Sequence, residues 1–132
     1  GERELRVNTG VPLELCLLGT GFSYTAPRRE WEAAVVGALI GRVRDIRRMG
    51  SAALDLCSVA AGRLDLYYER GLNPWDHAAG ALIAREAGAR VGGFGGARES
   101  TELIIACAPD LYDTFEPLLA RIFADHPDGG AG

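Results

Sequence analysis

The sequence predicts an α/β fold in which a mixed sheet of four to five strands is covered by helices. Strand-like and helix-like segments alternate along the chain, which is typical of that class. A length of 132 residues, of which 48% are hydrophobic and 24% charged, suits one core. We therefore predict a single domain over residues 1–132, with a disordered tail at residues 126–132, where Pro, Gly and Asp are frequent.

The first third of the chain predicts a strand, a helix and a second strand. Leu13 to Leu18 is a compact apolar run that Gly19 closes, and such a run suits a buried strand. Residues 28–44 are predicted to form an amphipathic helix, because apolar side chains recur at every fourth position. These side chains are Trp31, Val35, Leu39 and Val43. Residues 45–49 are predicted to form a short strand.

The middle third contains two predicted helix starts with a strand between them. Ser51 can accept a hydrogen bond from a free backbone amide, which predicts a helix that runs to about Ala61. Residues 64–69 show the two-residue period of a strand. Asn73 suits a second cap, and the following Pro and Asp suit the first helical turn, so a second helix is predicted to run to about Ala87.

The last third predicts two strands and a closing helix. Residues 90–93 form a short strand signal that leads into a glycine-rich segment at 92–96. That segment lies between strands rather than before a helix, so we interpret it as a turn and not as a phosphate loop. Residues 103–107 predict an apolar strand, and residues 109–124 predict an amphipathic helix.

Composition excludes several functions. The formal net charge is −4, from 14 basic and 18 acidic residues, whereas a nucleic-acid binder needs a dense basic patch. We therefore expect no nucleic-acid partner. Every basic residue is Arg, which rules out Schiff-base chemistry on a lysine of this chain.

Cysteine usage and hydropathy indicate a cytoplasmic protein. Cys16, Cys57 and Cys107 are widely spaced in apolar runs, which predicts reduced, buried thiols. No apolar stretch reaches the roughly 20 residues that a membrane span needs, and no signal peptide is recognised. A membrane partner is therefore not expected.

The stretch from Gly50 to Gly88 carries the residues from which chemistry is expected. Two predicted helix N-termini, at Ser51 and Asn73, present free N–H groups that suit oxygen-rich ligands. Glu69 lies between them and could hold a sugar hydroxyl or a divalent cation. These residues indicate a site for a polar small molecule. Taken alone, Asp76 is better explained as a carboxylate that stabilises a helix N-terminus.

The same stretch resembles the C-terminal signature of the inositol monophosphatase family. In that signature a Trp-Asp pair opens a helix, and small residues and then Glu-Ala-Gly follow, as they do here in Trp75 to Gly80 and Glu86 to Gly88. Arg48 to Ala53 and Tyr67 to Glu69 also match, in the same order and at the right separations. The resemblance covers nearly the whole chain and implies the fold of the C-terminal half of such a phosphatase.

The resemblance implies roles for five residues. Asp76 would be a carboxylate ligand of a catalytic Mg²⁺, and Glu69 would accept a hydrogen bond from an inositol or sugar hydroxyl. Gly50, Ser51 and Ala52 would contact the substrate ring, Ser51 through its hydroxyl and its neighbours through backbone.

Three neighbours of these residues are given structural roles. Trp75 is predicted to serve packing, and His77 to lie on the helix surface or at the rim of the metal site. Tyr67 is predicted to brace its strand.

Most metal ligands of the family are missing from this chain. Family members carry them in an N-terminal half, on a Glu-Glu pair and an Asp-Pro-x-Asp-Gly-Thr motif, and neither occurs here. Because Mg²⁺ takes about six oxygens and normally needs more than one carboxylate, Asp76 cannot build the site alone. We expect an inactive fragment that contains no complete catalytic set. It would form a homodimer or associate with the missing half through uncovered apolar surface or an unpaired strand edge.

Alternatives stay open for the substrate and for the class of function. The resemblance implies inositol-1-phosphate or a related sugar phosphate, with histidinol phosphate, fructose 1,6-bisphosphate and nucleotide 3′-phosphates as alternatives. A different hypothesis is a stand-alone, non-catalytic half-domain that binds a protein partner or a polyol. The coding sequence upstream of Gly1 distinguishes the two, because only the phosphatase needs the Glu-Glu and Asp-Pro motifs there.

Overall fold

The computed structural model of the chain describes residues 4–23 and 25–127. Within them five strands form one sheet, and four α-helices cover it, which confirms the predicted fold class. Along the chain the elements are β1 (Leu17–Gly19), α1 (Ala26–Leu39), β2 (Asp45–Arg47), α2 (Ala52–Ala60), β3 (Leu66–Glu69), α3 (Pro74–Glu86), β4 (Arg90–Gly92), β5 (Ile104–Cys107) and α4 (Pro109–Asp125).

The sheet is mixed, with the strand order β2-β1-β3-β5-β4. Strand β1 pairs in parallel with both β2 and β3, whereas β5 pairs antiparallel with β3 and β4. The carboxyl ends of β1, β2 and β3 therefore share one edge of the sheet. The segments 20–23, 48–51 and 70–73 leave the sheet at that edge, where ligands of α/β folds usually bind.

The apolar core lies in two layers, one on each face of the sheet. Helices α1 and α4 cover one face, where Leu18 and Phe115 are fully buried. Helices α2 and α3 cover the other face, where Leu56 and Tyr67 are fully buried. Gly80 lets these two helices approach closely, since a Cβ atom there would lie 2.9 Å from the Leu56 Cβ.

The predicted strand from Leu13 to Leu18 is wrong in its first half. Leu13–Leu15 forms a short 3-10 helix, in which the Cys16 N–H donates to the Leu13 carbonyl at 3.0 Å. Its N-cap is Pro12, and its last residue, Leu15, is 55% exposed. The apolar run therefore belongs to two elements, and only its second half enters the sheet.

Helix α1 ends at Leu39 and not at Arg44 as predicted. The Arg42 N–H donates to the Leu39 carbonyl at 2.8 Å, which turns the chain out of the helix. The Arg44 N–H then donates to the Cys16 carbonyl at 2.9 Å, which brings β2 alongside β1. Val43 lies beyond the end of the helix and is still buried. The four-residue spacing of apolar side chains therefore predicted a helix longer than the real one.

Asn8 ties the N-terminal segment to the loop between α2 and β3. Its side-chain amide donates to the Gly62 carbonyl at 2.9 Å and to Asp65 Oδ1 at 2.8 Å. The other oxygen of Asp65 accepts the Leu17 N–H at 2.7 Å, at the start of β1. Asp65 is only 9% exposed, so water cannot readily replace the Asn8 amide.

An Asn8→Ala substitution is expected to lower the free energy of unfolding by roughly 1–3 kcal/mol, because it leaves a buried carboxylate oxygen and a carbonyl without their donor. Urea unfolding followed by circular dichroism measures the change. Thr9→Ala is the matched control, since the neighbouring Thr9 is exposed. Equal stability of the two variants would contradict this role of Asn8.

The described residues leave some apolar surface uncovered. Strands β2 and β4 are the outermost strands of the sheet, and within the described residues each pairs with one neighbour. Several large apolar side chains are at least 44% exposed, namely Leu5, Leu15, Ile40, Met49, Leu54, Trp75 and Leu82. Self-association and docking of a second half stay predictions. None of the helices in the described ranges has the length and apolar character that crossing a bilayer requires.

The three cysteines are free thiols, as predicted. Cys16 and Cys107 are buried, as predicted, whereas Cys57 is half-buried, so its predicted burial is wrong. Burial is the main cause that raises the pKa of Cys16 to about 12.

At the C-terminal end, the Trp31 indole N–H donates to the His126 carbonyl. Residues 128–132 of the predicted tail lie outside the described residues.

Candidate functional site

A cavity of about 640 Å³ lies at the edge of the sheet where β1, β2 and β3 end. Three segments that follow these strands and the first turns of α2 and α3 supply its walls. Its lining includes all five predicted site residues, which are Gly50, Ser51, Ala52, Glu69 and Asp76. The structure therefore brings together residues that are up to 26 positions apart in the sequence.

The start of α2 forms one wall of the cavity. Gly50 has φ +83°, which suits glycine, and Ser51 is the N-cap of the helix, as predicted. The Ser51 hydroxyl accepts the Leu54 N–H at 3.3 Å. The hydroxyl keeps its own hydrogen for a further acceptor, and the first N–H groups of α2 have no intrahelical partner. This wall can donate hydrogen bonds to an oxygen-rich ligand.

The start of α3 forms a second wall and carries Asp76. Asn73 is the N-cap and Pro74 the first helical residue, as predicted. Asp76 Oδ2 accepts the Asn73 backbone N–H at 2.9 Å, which is the reciprocal half of a capping box. Asp76 is exposed and lines the cavity. Its carboxylate thus stabilises the helix start and at the same time faces a space in which a ligand can bind.

Glu69 closes the floor of the cavity at the end of β3. The Tyr67 hydroxyl donates to Glu69 Oε1 at 2.6 Å. Burial is the main cause that raises the pKa of Glu69, while the Tyr67 hydrogen bond and the charge of Arg48 oppose it. Tyr67 itself is fully buried, which agrees with its predicted role in bracing the strand.

Two arginines line the same cavity, and the sequence did not single them out as site residues. The Arg48 guanidinium lies 5.5 Å from the centre of the Phe22 ring, and Phe22 is also in the lining. The Arg70 guanidinium lies 4.9 Å from the centre of the Trp31 ring. Each arginine stands within two residues of a predicted site residue, which is the signal that could have indicated them. Arg48 places positive charge near Glu69, whereas the Arg70 guanidinium lies over Trp31, which is not in the cavity lining. Because of the charge of Arg48, the cavity suits a ligand that carries both hydroxyls and an anionic group.

Two predictions about the first turn of α3 are wrong. Trp75 is 77% exposed and lines the cavity instead of packing in the core. His77 is only 6% exposed, and neither of its ring nitrogens has a hydrogen-bond partner among the described residues. The reason is the side of the helix on which each residue falls. His77 shares its side with Gly80 and Ala81, which are also buried.

Asp55 is a buried carboxyl group that the sequence reading missed. It is 1% exposed, and neither oxygen has a hydrogen-bond partner within residues 4–23 and 25–127. Burial first and the nearby charge of Glu69 second raise the pKa of Asp55 to about 7. A Cβ on Gly19 would lie 3.1 Å from Asp55 Oδ1, which places this carboxyl against β1, behind the cavity.

Two carboxylates line the cavity, on Glu69 and Asp76, and that of Asp76 is the more exposed. Among the described residues no group of three or more His, Cys, Asp or Glu side chains is arranged to hold a metal ion. Asp76 therefore fits one coordination position of Mg²⁺, and this part of the chain does not complete the set of about six oxygen ligands.

Comparison with known proteins gives consistent similarities. Residues 1–126 match the model of the inositol monophosphatase family. The inositol-1-monophosphatase SuhB of Mycobacterium tuberculosis is 48% identical over 128 residues, which are 92% of this chain and 42% of that protein. The Nus factor SuhB of Escherichia coli is 48% identical over 93 residues, which are 70% of this chain and 35% of that protein.

Solved structures show the same partial coverage. The structure of Mycobacterium tuberculosis SuhB matches with a TM-score of 0.78 and 49% identity, over 89% of this chain and 46% of that chain. The Thermotoga maritima IMPase matches with a TM-score of 0.80 and 33% identity, over 95% of this chain and 48% of that chain. The chain thus spans about half the length of the solved structures that it matches.

Proposed function

Because the chain belongs to the inositol monophosphatase family, we propose that the protein carrying it hydrolyses the phosphate monoester of a sugar or polyol, inositol-1-phosphate or a close relative. The observation that carries this proposal is one cavity lined by Ser51, Glu69 and Asp76 together with Arg48. Hydroxyl acceptors, hydroxyl donors, a metal-type carboxylate and a cation are the groups that a polyol phosphate requires. The chain supplies the substrate-facing half of the site.

Each of these residues has a definite task in the proposal. Glu69 accepts a hydrogen bond from a ring hydroxyl through the oxygen that Tyr67 does not occupy. Ser51 donates its hydroxyl hydrogen to a ring oxygen, and the backbone of Gly50 and Ala52 contacts the ring. Arg48 adds positive charge that favours the phosphate ester in the cavity.

Asp76 would hold a Mg²⁺ ion, whose other ligands must come from outside the described residues. When bound, such an ion polarises a phosphoryl oxygen and lowers the pKa of a water molecule. The residues of this chain bind and orient the polyol next to it. We expect the isolated chain to show no Mg²⁺-dependent release of phosphate.

A second candidate function is that of a Nus factor, which is the name of the Escherichia coli relative. The chain is 48% identical to this relative over 70% of its length and 48% identical to the mycobacterial phosphatase over 92%, so the longer match favours the phosphatase. The exclusion of nucleic-acid partners rests on net charge alone and stays a prediction. The relatives named Nus factor do not support that exclusion.

The test is a phosphate-release assay on the full-length protein. We expect release from inositol-1-phosphate that stops when EDTA removes divalent cations and returns when Mg²⁺ is added. Fructose 1,6-bisphosphate, histidinol phosphate and a nucleoside 3′-phosphate rank the alternatives by kcat/KM. If Mg²⁺ supports no release from any of the four, the phosphatase proposal fails and the Nus-factor candidate remains.

A further inference from the structure

The Glu69 carboxylate lies flat against the backbone of Gly21. A Cβ atom on Gly21 would lie 2.5 Å from Glu69 Oε1, 2.6 Å from Cδ and 2.7 Å from Oε2. All three distances are well below van der Waals contact, so any side chain at position 21 must displace the carboxylate or the segment at 20–23. Gly21 lies two residues after the end of β1, and Glu69 is the last residue of β3. The parallel pairing of these strands brings the two residues together.

Tyr67 holds the same carboxylate from inside the core. Its hydroxyl donates to Oε1 at 2.6 Å, and the residue is fully buried, so no water competes for this hydrogen bond. Burial, followed by the charge of Glu69, raises the pKa of the Tyr67 hydroxyl, which keeps it protonated and a donor. Oε1 is thus occupied by the protein, and Oε2 is the oxygen left for a ligand hydroxyl.

We propose that Gly21 and Tyr67 are positioning residues that fix the Glu69 carboxylate for a ligand hydroxyl, and that they thereby set the preference of the site for polyol phosphates over phosphate esters without hydroxyls. This inference rests on the proposed function. Tyr67 is not part of the cavity lining, whereas Gly21 lines the cavity beside Glu69 and offers no side chain to a ligand. Gly21 determines where the carboxylate can lie, and Tyr67 determines which of its oxygens is free.

The readout is the ratio of kcat/KM for inositol-1-phosphate to kcat/KM for p-nitrophenyl phosphate, which has no ring hydroxyl. We expect Gly21→Ala and Tyr67→Phe to lower this ratio about 10-fold or more in the full-length protein, through KM for the polyol substrate. A loss of folding alone would lower both values together and leave the ratio unchanged. Gly37→Ala is the matched control, because a Cβ at Gly37 meets no atom within 4 Å.

Glu69→Gln separates the inference from the proposed function. The inference is supported if wild type favours the polyol and if Glu69→Gln, Gly21→Ala and Tyr67→Phe all lose this preference. In a Glu69→Gln background, Gly21→Ala and Tyr67→Phe should then cause little further loss. If Glu69→Gln loses the preference while Gly21→Ala and Tyr67→Phe keep it, the inference is overturned and the function stands. If wild type shows no preference for the polyol, the hydroxyl-binding role of Glu69 and the inference both fail.

Discussion

Replacing Asp76 by Asn is expected to lower the Mg²⁺-dependent turnover of the full-length protein by about 100-fold or more. Asn has nearly the same size, and its amide oxygen can still accept the Asn73 backbone N–H that Asp76 Oδ2 accepts at 2.9 Å. The substitution therefore keeps the helix cap and removes a negative charge, which weakens Mg²⁺ binding because proteins hold this ion mainly through carboxylates. A phosphate-release assay over a range of Mg²⁺ concentrations measures the effect.

Asp76 has two roles, and the controls must separate them. If the carboxylate serves only the helix start, Asp76→Asn changes Tm slightly and leaves turnover intact, which would contradict the metal-ligand role. Glu86→Gln removes a carboxylate from the last residue of the same helix, outside the cavity lining. We expect this control to keep both turnover and its dependence on Mg²⁺.

An Asp55→Asn substitution is expected to remove a pH dependence of stability of roughly 2–3 kcal/mol between pH 5 and pH 8. An Asp side chain in an unfolded chain has a pKa of about 3.9, whereas burial in the folded protein raises the pKa of Asp55 to about 7. Between these values the folded state binds more protons than the unfolded state. The contribution of Asp55 to stability is therefore fully present near pH 4 and is lost as the pH rises through about 7.

The measurement compares the free energy of unfolding of wild type and variant at several pH values. Other groups also titrate in this range, so the informative quantity is the difference between the two proteins, which should grow in favour of the variant as the pH rises. Asp125→Asn serves as control, since Asp125 is exposed at the end of α4. A difference that does not change with pH would contradict the raised pKa of Asp55.

Local signals predicted the elements that line the cavity. Helices α2 and α3 begin at Ser51 and Asn73 as expected, because a cap depends on a few neighbouring residues. The family resemblance, carried by the segments around Gly50, Glu69 and Asp76, is confirmed by the match over residues 1–126. The roles of these residues came from that resemblance and stay predictions.

Features that depend on distant contacts could not be predicted. The position of β2 beside β1 is set by the bond between the Arg44 N–H and the Cys16 carbonyl, which joins residues 28 positions apart. The strand order has no local signal at all. The burial of Asp55 and His77 depends on how α2 and α3 pack against the sheet, so reading each helix alone gives no indication of it.

At the shared edge of β1, β2 and β3, the residues that line the cavity are under a different constraint from the residues that form the core. Most residues of the two apolar layers lie inside strands and helices, whereas Phe22 and Arg48 stand in the connecting segments. A change of side chain in such a segment alters the ligand surface and costs little folding free energy. Substrate preference can therefore drift among proteins of this architecture faster than the architecture itself, with Gly21 as an exception because the position of Glu69 depends on it.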